Sequence, residues 1–356
     1  MITKRLLLAS LLSTGFLAAP TLAAPEYVSA DDLPETELTV VGGLSNLTAY
    51  LDIEKPFWSE KIPELSNGKI TVDIKGFSDM GLKGPEVLRL VGQGVIPFGT
   101  ATIAYFASDN PINEAIDLAG MSPTIEIARE VTEAFQPAYE AFYEDNNVKV
   151  LGFSTYAAQV LFCNAEINEL ADLKGKKVRT NSRNQAEFVE ALGGSSVTIP
   201  FGEVVPALQN GVVECGITGS MSGYSAKWHE VSTHLYALPI NWNQQIHAAN
   251  MDYWNQLDPK VQDFIEANVQ VMYDQIWDQA ARETQEGYDC NTGSSDCPYD
   301  EKGDMTLVEP TDADVEALEK LTAEVIVPKW AQRCSAECVD SFNDTIGKIL
   351  DIHAEK

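Results

Sequence analysis

Between Lys176 and Gly219 the chain alternates strand and helix signals with almost nothing in between. Lys176-Lys177-Val178-Arg179-Thr180 reads as a strand. Ala186 to Leu192 reads as a helix closed by Gly193-Gly194. Ser196 to Pro200 is a second strand, Glu203 to Gln209 a second helix stopped by Asn210-Gly211, and Val212 to Thr218 a third strand. Connections this short, each carrying a helix, demand a parallel sheet. Ligands on such sheets bind beyond the carboxyl ends of the strands. Arg179, Pro200-Phe201 and Thr218-Gly219 all fall at those ends. The fold class is therefore α/β, and the first candidate binding residues are Arg179, Phe201 and Thr218.

The rest of the chain extends this pattern. Leu38 to Val41 reads as a first strand after a loose acidic leader, Ala30 to Glu37. Glu54 to Leu65 carries helical spacing and ends at Asn67-Gly68. Ile70 to Ile74 and Val148 to Phe153 alternate as strands, and Glu86 to Val91 is a helix. Val131, Phe135, Tyr139 and Phe142 mark one face of a long helix beginning after Ser122-Pro123. Val261, Phe264, Ile265, Val269, Met272, Ile276 and Ala280 keep one face from Asp258 to about Tyr288. That is about 30 residues, or roughly 45 Å, longer than one small domain, so this helix is expected to brace two. A last helix is capped by Thr311.

The N-terminus predicts export. Lys4 and Arg5 precede an apolar run from Leu6 to Ala19, and Thr21-Leu22-Ala23 offers small residues for cleavage, which makes 1–23 a signal peptide. No later stretch is apolar enough to span a membrane, so the mature protein is expected to be soluble outside the cytoplasm. The six cysteines agree, because an even count in an exported chain favours disulfides over thiolate metal ligands. Cys290 and Cys297 flank a turn-rich loop and are expected to pair. Cys334 and Cys338 are also expected to pair, with a helix break there, since an unbroken helix does not suit that bridge. Cys163 and Cys215 form either a third bridge or two buried small hydrophobes; the second reading is favoured.

Charge excludes whole classes of partner. With 24 Lys plus Arg against 53 Asp plus Glu, the net charge is −29. Phosphates are repelled, so neither nucleic acid nor an anionic membrane surface fits, and a monomer is favoured. Catalytic patterns are missing as well. His229 and His234 lie five apart, a spacing at which helical imidazoles cannot share a zinc. There is no nucleophile elbow at Ser222, no phosphate-binding glycine loop and no dinucleotide fingerprint. No metal, no cofactor and no enzyme is expected.

At this point several stretches resemble one family. Ala171-Asp172-Leu173-Lys174-Gly175-Lys176-Lys177-Val178-Arg179 resembles the "DLKGLKIR" signature of substrate-binding proteins of tripartite ATP-independent periplasmic (TRAP) transporters. Pro200-Phe201-Gly202-Glu203-Val204, followed by Ala207-Leu208-Gln209-Asn210-Gly211-Val212-Val213-Glu214, resembles its "PFSEVYTALQQGVVDG". Asn250-Met251-Asp252-Tyr253-Trp254-Asn255-Gln256-Leu257 is similar to its "N-x-x-x-W-x-x-L", and Gly68-Lys69-Ile70-Thr71-Val72 to its "GGRIKVEV" strand.

The resemblance implies a two-lobed periplasmic binding protein with a long helix bracing both lobes. Lobe I would be 38–155 plus 245–285, and lobe II 156–244 plus 286–356. It implies capture of a small organic acid in the interlobe cleft and delivery to integral membrane permease subunits. A binding component of an ATP-driven importer, or a ligand sensor for a receptor, is the alternative. Arg179 would clamp the ligand carboxylate. Gln159 stands near the place where the family often has a second Arg, and Thr218 replaces a family Asn. With one cation lost, a monocarboxylate is favoured, since a second buried anion would go unpaired. Tyr105, Phe201 and Trp242 are the candidate cleft aromatics.

Overall fold

The computed structural model describes residues 26–356, so the signal-peptide segment 1–23 lies outside the described residues. Eleven strands form two sheets among those residues. The first sheet contains β1 (Thr36–Gly42), β2 (Ile70–Gly76), β3 (Phe98–Thr102), β4 (Val148–Ser154) and β10 (Gln245–Asn250), in the order β2-β1-β3-β10-β4. The second contains β5 (Gln159–Cys163), β6 (Lys177–Thr180), β7 (Ser195–Thr198), β8 (Cys215–Gly219), β9 (His234–Asn241) and β11 (Thr306–Val308), in the order β11-β9-β5-β8-β6-β7. The parallel set expected from sequence is present: β6 pairs in parallel with both β7 and β8. The helices Arg183–Ala191 and Val204–Gln209 make the crossovers.

The chain passes between the sheets three times: twice directly from strand to strand, and once from β10 through a helical segment to β11. Thr155 to Ala158 joins β4 to β5, and Trp242 to Gln244 joins β9 to β10. At both direct passages the chain joins the receiving sheet antiparallel: β10 to β3 and β4, β5 to β8 and β9. The result is two α/β lobes with a cleft between them.

The expected bracing helix spans Pro259–Thr292, 34 residues. It starts cleanly because the Asp258 side chain accepts from the Lys260 N–H and Pro259 occupies the first turn, where its missing donor costs nothing. It ends at Gly293, whose φ of 78° is left-handed backbone open to glycine. The helix touches both lobes. Trp277 Nε1 donates to Phe153 O at 3.1 Å on β4. Gly287 approaches the helix Ser220–Ser225 so closely that a Cβ would sit 2.4 Å from Met221 N. The helix runs through Cys290, so that cysteine belongs to its last turn rather than to the loop beyond.

Two expectations need correction. The leader is not loose: Ala30 N donates to Leu65 O at 3.0 Å, Thr36 N donates to Lys69 O at 2.9 Å, and Leu33 is buried in the core. An acidic stretch can dock when one apolar side chain and the backbone find partners. Second, Cys163 and Cys215 are not free. They face each other across the antiparallel pair β5–β8 and form a disulfide. Cys290–Cys297 and Cys334–Cys338 pair as expected. The helix Val327–Arg333 stops at Cys334, whose backbone is extended, and Ser335 caps the next helix by accepting from Cys338 N.

Candidate ligand cleft

β6 delivers Arg179 to the middle of the molecule, where it is 1% exposed. Its Nε donates to Ile199 O at 2.9 Å and its Nη1 to Ile217 O at 2.8 Å. Its guanidinium lies 5.6 Å over the Trp228 ring, which stacks on Phe201 at 5.8 Å. Among the described residues no carboxylate lies within 4.0 Å of it, although the chain has 53 acids. Arg179 is therefore not held by a structural ion pair. Burial pushes its pKa down to about 10, with Tyr105 opposing slightly. A buried cation with no counter-ion is costly unless an anion arrives.

The cavity around Arg179 has two parts. An inner recess of about 10 Å³ is lined from one lobe by Leu44, Leu47, Thr102 and Tyr105, and from the other by Gln159, Arg179, Phe201, Thr218 and Ser222. It opens to a chamber of about 310 Å³, which shares Leu44, Tyr105, Arg179, Asn181 and Phe201 and adds Phe77, Leu82, Lys83 and Glu203. Five of the six residues singled out in the sequence thus line one cavity. Trp242 does not. Its indole donates to Ser122 O at 2.8 Å and its backbone N–H to Asp117 at 2.7 Å, which turns the ring into the core while its neighbour Asn243 reaches the recess.

Several lining residues escaped the sequence reading: Leu44, Leu47, Thr102, Tyr156, Asn181, Ser222 and Asn243. None sits in a motif, and the topology alone assembles them. Gln159 does not face the cavity as a free amide. It donates to Ala157 O at 3.0 Å and accepts from Asn243 Nδ2 at 2.9 Å. Tyr105 is held neutral, its pKa raised by burial. Arg179 is the only cation in the recess; Lys83, in the outer chamber, is exposed.

The charged and catalytic-looking clusters elsewhere have local explanations. Ser154 Oγ lies 2.7 Å from His247 Nε2, and Glu54 Oε1 lies 3.9 Å from Nδ1. This resembles a triad, but Thr100 occupies Nδ1 at 2.9 Å, all three residues are buried, and burial pushes the His247 pKa down to about 3. Such an imidazole is a poor base at neutral pH. His229, Glu230 and Glu301 come within metal-binding range of one another. There Lys227 already bridges the two carboxylates, at 3.3 and 2.8 Å.

The profile of the bacterial extracellular solute-binding proteins, family 7, matches residues 47–330. The chain belongs to this family. Solved structures share the fold of this family 7 protein over most of its length. A marine metagenome TRAP solute-binding protein crystallised with co-purified pyroglutamate is 18% identical, with a TM-score of 0.77 over 89% of this chain and 99% of its own. A Bordetella pertussis extracytoplasmic solute receptor binding pyroglutamic acid is 18% identical, with a TM-score of 0.75 over 86% and 99%. In sequence, the ectoine-binding periplasmic protein TeaA of Halomonas elongata is 22% identical over 214 residues. That alignment spans 58% of this chain and 62% of TeaA, less than two thirds of the relative. No helix among the described residues is long and apolar enough to cross a membrane.

Proposed function

We propose that this family 7 protein is an extracytoplasmic receptor that captures a small monocarboxylate between its lobes and delivers it to a TRAP-type membrane permease. The observation that carries this is Arg179: a buried guanidinium at a strand end, facing an interlobe recess, with no protein carboxylate to neutralise it. Two of its donors are spent on backbone carbonyls, which aim the planar group. The remaining edge matches a carboxylate, and charge-assisted bonds of that kind are about twice as strong as neutral ones. Thr218 adds a hydroxyl, and Tyr105, Phe201 and Leu44 supply apolar wall. Those elements bind and orient; none of them activates a nucleophile, so the receptor does not transform its ligand.

One cation in a recess argues for one carboxylate. A dicarboxylate would bury a second anion with no partner, and exposed Lys83 is screened by solvent. The ligands of structural neighbours, pyroglutamate and ectoine among them, support a compact acid of this kind. The lobes are assigned as 38–155 plus 245–285 and 156–244 plus 286–356, with the crossings and the long helix as hinge.

A thermal-shift screen of the mature protein tests this. Small monocarboxylates should raise the melting temperature, and ligand at 100 times its Kd should stabilise by about 2.7 kcal/mol. A response to dicarboxylates or neutral solutes alone would refute the assignment.

A further inference from the structure

Asn243 stands at the second crossing with left-handed backbone, φ 56°, and lines the recess with Arg179. Its amide orientation is dictated by a relay. Ala157 O is a backbone acceptor, so Gln159 must turn Nε2 toward it, at 3.0 Å. Gln159 Oε1 is then left facing Asn243, which must answer with Nδ2, at 2.9 Å. Turning either amide over would set oxygen against oxygen or hydrogen against hydrogen. The last atom of the relay, Asn243 Oδ1, is therefore a carbonyl acceptor, and it has no hydrogen-bond partner although the residue is only 5% exposed. Asn181 Oδ1, on the same wall, is buried and orphaned as well. Buried acceptors without donors are rare in native proteins and call for a partner.

We propose that Asn243 is the specificity-determining residue of the cleft, selecting carboxylates that carry an N–H or O–H donor close to the carboxylate and rejecting those that present an acceptor there. This rests on the carboxylate reading of Arg179. Arg179 and Asn243 line the same small inner recess, so a ligand whose carboxylate meets Arg179 sets its adjoining atoms toward Asn243. A donor there satisfies Oδ1, whereas an oxygen without a hydrogen is repelled by it. The eligible class is α-hydroxy acids, lactam acids and cyclic amidinium acids. Sites built to hydrogen-bond a donor reject the analogue lacking it far more strongly than apolar pockets reject a missing methylene.

Calorimetry on the mature protein with two matched pairs tests the proposal. The first pair is L-pyroglutamate and its ring-oxygen twin, 5-oxotetrahydrofuran-2-carboxylate. The second is mandelate and its 2-methoxy ether. For at least one pair the donor-bearing acid should bind about tenfold or more tightly than its twin. Asn243→Gly, which tolerates the backbone angle, should bring that ratio to within about threefold. Gln159→Met, which frees the Asn243 amide to turn, should lower the ratio too, and it serves if the glycine variant melts early. Equal affinity within both pairs, abolished by Arg179→Met, would overturn the role of Asn243 and leave the carboxylate reading intact. A ratio unchanged in folded Asn243→Gly would overturn it as well. Binding of none of the four acids would count against the inference, while the carboxylate reading would stand or fall on the wider thermal-shift screen.

Discussion

Replacing Arg179 by Met should separate stability from function. In the empty cleft the guanidinium is buried without a counter-ion, and burial pushes its pKa down to about 10. That is more than two pH units below an ordinary arginine. At 1.36 kcal/mol per unit, the folded state carries a penalty of about 3 kcal/mol for the charge. The sign follows from linkage. A base whose pKa falls on folding loses stability wherever it is protonated in both states, so the penalty is present throughout the neutral range and is relieved only as pH rises past about 10. Met keeps the length and the packing on Trp228 but loses the two bonds to Ile199 O and Ile217 O, each worth about 0.5–1.5 kcal/mol net. The two effects roughly cancel or favour the variant, so ligand-free Arg179→Met should melt no lower than wild type. Its affinity for the acid should fall at least about 100-fold, because a charge-assisted pair is lost in a dry site. Arg179→Lys should fall between, since it keeps charge but not the fork. Scanning calorimetry and titration calorimetry on the same samples give both numbers. A folded Arg179→Met with wild-type affinity would refute the clamp, and a destabilised one that still binds would make Arg179 a structural residue.

Thiol titration of denatured, unreduced protein should find no free thiol, and reduction should release all six; two free thiols would break the Cys163–Cys215 bridge. Glu283, on the long helix, has its pKa raised to about 7 by burial. An acid raised on folding stabilises below its unfolded pKa, and that stability is lost as pH rises through about 7. Glu283→Gln should therefore gain on wild type by up to about 3 kcal/mol at pH 8 and by less at pH 5; His247 titrates with the opposite sign, so only the difference between variant and wild type is diagnostic. Ligand should also compact the protein, because residues of both sheets close around Arg179; an unchanged radius of gyration in small-angle scattering, with binding confirmed, would count against a hinge.

What was legible in the sequence was local. The run from Lys177 to Gly219 announces its own topology because each strand, helix and stop signal lies within a few residues of the next. Arg179, Phe201 and Thr218 were found because a parallel sheet puts its strand ends on one rim. The long helix was readable from one apolar face between Val261 and Ala280, although its last turn runs on to Thr292. The rest depends on pairings distant in sequence. Cys163 and Cys215 are 52 residues apart and meet only because β5 lies antiparallel to β8. Asn243 enters the recess because a left-handed residue turns the chain between sheets, and composition gives no hint of it. Trp242 was misplaced for the complementary reason: an aromatic beside a cleft strand looks like a cleft aromatic, yet Asp117 and Ser122 hold it on the other side of the chain.

The claim at the centre is that an anion in the interlobe recess supplies the charge partner that the protein withholds from Arg179. A crystal structure of the mature protein with the strongest ligand of the thermal-shift screen tests it most directly. The expected result is a carboxylate at about 2.7–2.9 Å from the guanidinium of Arg179, with leucine and tyrosine side chains of the first lobe closed over it. A ligand seated in the cleft with no anionic group at Arg179 would contradict the account.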